Sequence, residues 1–176
     1  IYSSMSVQGI CCNRLLKDSK QWSDVNLGEA GAEVNVKALH WANASGERVL
    51  IFNATIPTVK NNVDICLFSS NMKDYDLKTL ARHDEKALMF GELKGGIDPA
   101  GADEHWKTGN TALNRIRTSF AAAGYPRMMT SFVGAAIEKA MAEEIYAQLE
   151  AGTLTNAANL TNNNQLIEYC NWLVEL

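Results

Sequence analysis

An α/β fold, with a mixed central sheet flanked by helices, is the class this sequence predicts, and three observations carry the prediction. Runs rich in Val, Ile and Phe, such as RVLIFNATI and VDICLF, are bounded by turn residues and read as strands. Two long segments, beginning near Asp103 and Ala135, repeat apolar residues at helical spacing. The two kinds of segment then interleave as β-β-β-α-β-α rather than falling into separate blocks. With 176 residues, 47% of them apolar, the chain can bury one sizeable core. No internal repeat or low-complexity tract divides it.

The elements follow in order. Ser6 to Leu16 reads as a short helix, a polar stretch runs to Ala32, and Glu33 to Trp41 reads as a second helical piece. A turn at ASGE introduces a strand from Arg48 to Ile56, which Pro57 ends. The link TVKNN joins it to a second strand, Val63 to Phe68, its expected antiparallel neighbour. The polar segment Ser69 to Glu85 is a loop or short helix with Leu77 and Leu80 as packing points. Lys86 to Leu93 is apolar on both faces, which predicts a central strand, and Gly95-Gly96 breaks it. From Asp103 a helix runs to about Ala123, with Trp106, Leu113, Ile116 and Phe120 on one face. Gly124 and Pro126 stop it, RMMTSFVGA supplies a fourth strand, and AAIEKAMAEEIYAQLEAG an amphipathic helix closed by Gly152. Gln165 to Glu175 is the last helix.

Composition bounds function. No run approaches the roughly 20 apolar residues that span a bilayer, and no basic-then-apolar signal segment opens the chain, so no membrane partner and a cytoplasmic location are expected. Cys11, Cys12, Cys66 and Cys170 have neither zinc-finger nor disulfide-framework spacing, which fits reduced thiols. The net charge of −4 argues at first against nucleic acid, but six Glu and a single Lys lie after residue 137. The chain's 16 basic and 20 acidic side chains therefore leave 15 against 14 in the remainder. The first residues, from Ile1, read like a helical region cut open, so a single catalytic domain spanning 1–176 and lacking an N-terminal region is expected.

The chemistry concentrates in MFGELKGGIDPAGADEHW, Met89 to Trp106. Metal-assisted phosphodiester hydrolysis needs carboxylates for the ion, a cation for the attacking water or the charge on phosphorus, and a proton acceptor. An Asp on one strand and Glu-x-Lys on the next supply the first two, while the carbonyl of x can also ligate the ion. The triplet alone is weak, since Asp18-Ser19-Lys20, Asp76-Leu77-Lys78 and Asp84-Glu85-Lys86 share its form. Only Glu92-Leu93-Lys94 ends an apolar strand, where Glu92 and Lys94 share a face. Asp64 lies within the apolar strand NNVDICLF, where an uncompensated carboxylate would be costly to bury. Read structurally, Asp64 is a strand-end acid exposed to water or paired with a lysine, and Glu92–Lys94 a surface ion pair worth at most about 1 kcal/mol. Together they favour a metal site. His105, across the Gly-rich loop from Lys94, is either a surface or capping residue or the proton acceptor.

NNVDICLF followed by FGELKGGIDPAGADEHWKTGNTALNRIR resembles the AvaI/BsoBI group of type II restriction endonucleases, within the PD-(D/E)xK nuclease superfamily. The match covers about Lys60 to Arg117, with Val63-Asp64 standing where the superfamily has Pro-Asp. The resemblance implies a restriction-endonuclease-like core and a bacterial or archaeal, Mg²⁺-dependent enzyme that cuts double-stranded DNA site-specifically as a homodimer. It implies that Asp64 and Glu92 hold the metal with the Leu93 carbonyl, that Lys94 is the catalytic lysine, that His105 is the general base, and that Asp98 is a base-contacting residue. Lys60 and Lys107, each beside a catalytic element, are candidate phosphate contacts. Arg115 and Arg117, two apart on one helix, cannot share a face, so either one reaches a phosphate while the other pairs with an acid, or both are solvated helix charges. Two alternatives remain: a junction-resolving or repair nuclease with the same core, and a non-catalytic DNA-binding relic of the fold.

Overall fold

The computed structural model describes residues 1–96, 102–135 and 137–176, with side chains in α3 from residue 104 onward. Asp98 lies outside the described residues. Among those described, eight strands form one mixed sheet and five helices cover it. The strands are β1 (Cys12–Leu16), β2 (Ser23–Asp24), β3 (Val36–Asn43), β4 (Gly46–Ile56), β5 (Asn61–Ser69), β6 (Ala87–Lys94), β7 (Met129–Gly134) and β8 (Asn156–Asn159). Their order across the sheet is β2-β1-β3-β4-β5-β6-β7-β8. The helices are α1 (Tyr2–Val7), α2 (Leu77–Leu80), α3 (Ala102–Ala122), α4 (Lys139–Glu150) and α5 (Asn163–Glu175).

The expected antiparallel pair is β4–β5, and β6 is interior, antiparallel to β5 and parallel to β7. Two expected helices are corrected. Residues 12–16 form β1, and the segment read as a helix from Glu33 contains β3, which pairs with both β1 and β4. Leu39, His40 and Trp41 are buried in succession, so both faces of β3 are covered and no alternation marks it as a strand. Partners on either side decide its conformation against local helix compatibility. In the segment read as a loop or short helix, Asp76 caps α2 by accepting from the Lys78 and Thr79 amides, and Leu80 is buried.

The sheet separates two cores. On one face Cys66, Phe68, Phe90 and Phe132 pack against Trp106, Leu113, Ile116 and Phe120 of α3 and Met141 and Ile145 of α4. On the other, Leu50, Leu67, Met89 and Val133 pack against Met5 of α1 and Tyr169, Leu173 and Val174 of α5. α3 carries every apolar contact expected of it, which fixes its register above β6 and β7. No helix among the described residues is long and apolar enough to cross a membrane.

Candidate active site

Where β5 and β6 part, an acid replaces a backbone acceptor. Their ladder ends at Ile65 opposite Gly91, and one step beyond it Asp64 Oδ2 accepts the Leu93 amide at 2.9 Å. In a strand a residue's N–H and C=O point to the same side, so the Leu93 carbonyl opens toward β5 with its amide. Lys94 faces the other way, its carbonyl accepting from the Ala135 amide at 2.8 Å. The strand tip thus turns a carboxylate and a main-chain carbonyl into one gap.

Glu92 and Lys94 share the α3 face of β6. Lys94 Nζ donates to Glu92 Oε2 at 3.0 Å and lies 3.9 Å from Asp64 Oδ2, so one ammonium bridges both acids. Glu92 is only 5% exposed. Burial pushes its carboxyl above the usual carboxylate range; the Lys94 hydrogen bond and charge oppose that rise, Asp64 adds to it, and Arg115 lowers it. A pair at a water-exposed edge would show no such tension. The surface ion-pair reading of Glu92 therefore does not describe this site.

Beside Glu92 a cavity of about 460 Å³ is walled by α3, with Asn62, Glu104, Lys107, Thr108 and Arg115 among its lining. Lys107 and Arg115 thus reach the same space as Glu92. Arg117 is directed elsewhere, donating to Thr130 Oγ1 at 2.9 Å, the Thr153 carbonyl at 3.2 Å and Asn114 Oδ1 at 2.7 Å. Of the two arginines, Arg115 is the one available to a ligand. Lys60, exposed and with a φ of 56°, closes the turn between β4 and β5 four residues before Asp64.

α3 comes close at Gly109, where a Cβ would lie 2.7 Å from Phe132 Cε2 and 3.8 Å from Lys94 Cε. Its first turns are anchored by Trp106, whose indole donates to Glu144 Oε2 at 2.6 Å and stands edge-on to Phe132 with ring centroids 5.0 Å apart. His105, half-buried, is set against Gly96. The other histidines are engaged away from the strand tip, His40 with Asn13 and Glu47, His83 with Glu85. Gly109 as a helix-interior glycine was a legible signal of close packing; the Trp106–Glu144 bond and the cavity wall carried none.

Among the described residues no group of three or more His, Cys, Asp and Glu could hold a metal. Asp64, Glu92 and the Leu93 carbonyl nevertheless suit a hard ion that keeps several waters and is held by one or two carboxylates plus substrate phosphate, as Mg²⁺ is. Thiolates take no part. The four cysteines are free, and burial pushes the Cys12 thiol up to about 12.

Residues 1–176 match the family described as "Restriction endonuclease BsobI". The chain is similar to the type II restriction enzyme BsoBI of Geobacillus stearothermophilus, 48% identical over 160 residues, covering 91% of this chain and 49% of that protein. It is also similar to the type II restriction enzyme AvaI of Nostoc sp., 43% identical over 176 residues, covering 100% of this chain and 55% of the relative. The AvaI of Anabaena variabilis matches at the same identity and coverage. The chain spans about half the length of the curated relatives it matches.

Proposed function

The chain belongs to the BsoBI restriction endonuclease family and is a homologue of type II restriction enzymes, and from that premise we propose that it is the catalytic part of a Mg²⁺-dependent endonuclease that hydrolyses double-stranded DNA at a specific site, as a homodimer. The observation that carries the reading is the strand tip itself: one lysine between two carboxylates, with a main-chain carbonyl turned into the same gap.

Asp64, Glu92 and the Leu93 carbonyl hold the ion, which when bound supplies Lewis-acid stabilisation of charge on the phosphate. Lys94, held by Glu92, presents its ammonium to the attacking water or to the negative charge that builds on phosphorus. His105 takes the proton of that water as its oxygen bonds to phosphorus and the bond to the 3′-oxygen breaks; the leaving oxygen takes a proton from solvent, so the products are a 5′-phosphate and a 3′-hydroxyl. Lys60, Lys107 and Arg115 contact backbone phosphates, which positions the duplex without reading it. Asp98 contacts a base.

Cleavage by the complete enzyme in Mg²⁺, compared with Lys94→Ala and with excess EDTA, tests the reading. Lys94→Ala is expected to lower the rate on the order of 10²-fold or more, and EDTA to stop it. Undiminished cutting in EDTA excludes the metal, and wild-type cutting by Lys94→Ala excludes the lysine.

A further inference from the structure

Gly95 and Gly96 follow Lys94 directly, and neither has the left-handed φ that would call for glycine. Space separates them. Among the described residues, a Cβ on Gly95 would meet nothing within 4 Å, whereas one on Gly96 would lie 2.5 Å from His105 Nε2, 3.1 Å from Cδ2 and 3.3 Å from Cε1. All three atoms belong to one imidazole, so the ring occupies the place that a side chain at 96 would take. The backbone of His105 cannot easily retreat, because Trp106 next to it is 1% exposed, packed on Phe132 and bonded to Glu144. The ring can turn about its own side-chain bonds. A methyl group at 96 would therefore rotate the imidazole and leave α3 where it is.

We propose that Gly96 is a positioning residue: its missing side chain forms the seat that fixes the His105 imidazole two residues beyond Lys94. This rests on the reading of His105 as the proton acceptor. Gly96 brings no side chain to the reaction and acts through the ring, so its effect belongs to the rate of the chemical step and not to DNA binding. A base held about 1 Å from its proper place can cost on the order of 10²-fold in rate.

The test uses the complete enzyme with Gly95→Ala, Gly96→Ala, His105→Ala and the double variant Gly96→Ala with His105→Ala. Single-turnover cleavage in Mg²⁺, DNA binding in Ca²⁺ and the histidine ring NMR resonances are measured. Gly95→Ala is expected to cut within about twofold of wild type, and Gly96→Ala about 10- to 100-fold more slowly with binding kept. The double variant should cut like His105→Ala alone, since residues that act as one unit are non-additive. The His105 ring resonances should move in Gly96→Ala and stay in Gly95→Ala. Wild-type cutting by Gly96→Ala, loss of its fold, or an equal further loss in the His105→Ala background overturns the proposal. Normal cutting by His105→Ala sinks the base assignment instead. The ring resonances, which need no catalysis, then decide the seat alone, and an unmoved ring in Gly96→Ala overturns it.

Discussion

Glu92 is pulled two ways. Burial favours its neutral acid, while the bond from Lys94 favours the carboxylate, and burial is the larger effect. A carboxyl whose folded value is raised binds its proton more tightly in the native state. Its contribution to stability is full below the ordinary carboxylate range and is lost as pH rises through the raised value. Glu92→Gln carries no such loss. In metal-free protein, its thermal midpoint should therefore gain on wild type as pH rises from the ordinary glutamate value of about 4.3 through the raised native one. The same variant should lose Mg²⁺-dependent cleavage and the stabilisation that added Mg²⁺ gives wild type. Thermal scans with and without Mg²⁺ check both, and a midpoint that falls behind wild type as pH rises contradicts the prediction. Sequence could reach Asp64, Glu92 and Lys94 because strand alternation and an acid in an apolar run are local signals. It could not reach the Asp64–Leu93 amide bond, which needs two strands to diverge at one step of their ladder.

At the scale of elements, α3 does the placing, and its glycine opposes the usual helix rule. Replacing an interior helix glycine by alanine gains about 1 kcal/mol of propensity. At Gly109 that methyl would stand 2.7 Å from Phe132 Cε2. Phe132 is fully buried, meets Trp106 edge-on, and is so close to Gly134 that a Cβ there would lie 2.9 Å from it. The ring has nowhere to swing, and overpacking of about 1–3 kcal/mol exceeds the gain. Gly109→Ala should lower the urea midpoint at unchanged slope and slow cleavage as α3 lifts from the Lys94 side chain; a raised midpoint would contradict the packing. α3 was legible because Trp106, Leu113, Ile116 and Phe120 repeat at helical spacing and all four are buried. The first three strands were harder. β3 carries Lys37, Ala38 and Leu39, which suit a helix, and its strand state comes from β1 and β4 alone. β8, the short run Asn156–Asn159, has no β-branched residue and exists because β7 offers it an edge.

Across the whole molecule, charge is divided much as the two ends of the sequence are. The stretch after residue 137 holds six Glu and one Lys, and the rest of the chain is near balance, with Lys60, Lys107 and Arg115 around the strand tip. With three such groups neutralising one phosphate each, log K for duplex DNA should fall with log salt at a slope of about −2.7 per chain, a loss of roughly 40-fold between 50 and 200 mM. The chain spans about half the length of its relatives, and with phosphate contacts from this length alone its affinity is expected to be weak even at low salt. Lys60 isolates one contact: it is exposed, on a turn, and outside the cavity beside Glu92. Lys60→Gln should flatten the slope by about one and weaken all sequences alike, because a phosphate contact positions the duplex without reading it. Fluorescence anisotropy of the 176-residue chain in Ca²⁺, on specific and scrambled duplexes across a salt series, measures both quantities. Nanomolar site-specific binding by this chain, or a Lys60→Gln slope identical to wild type, would show that the affinity lies in base contacts or other phosphates instead.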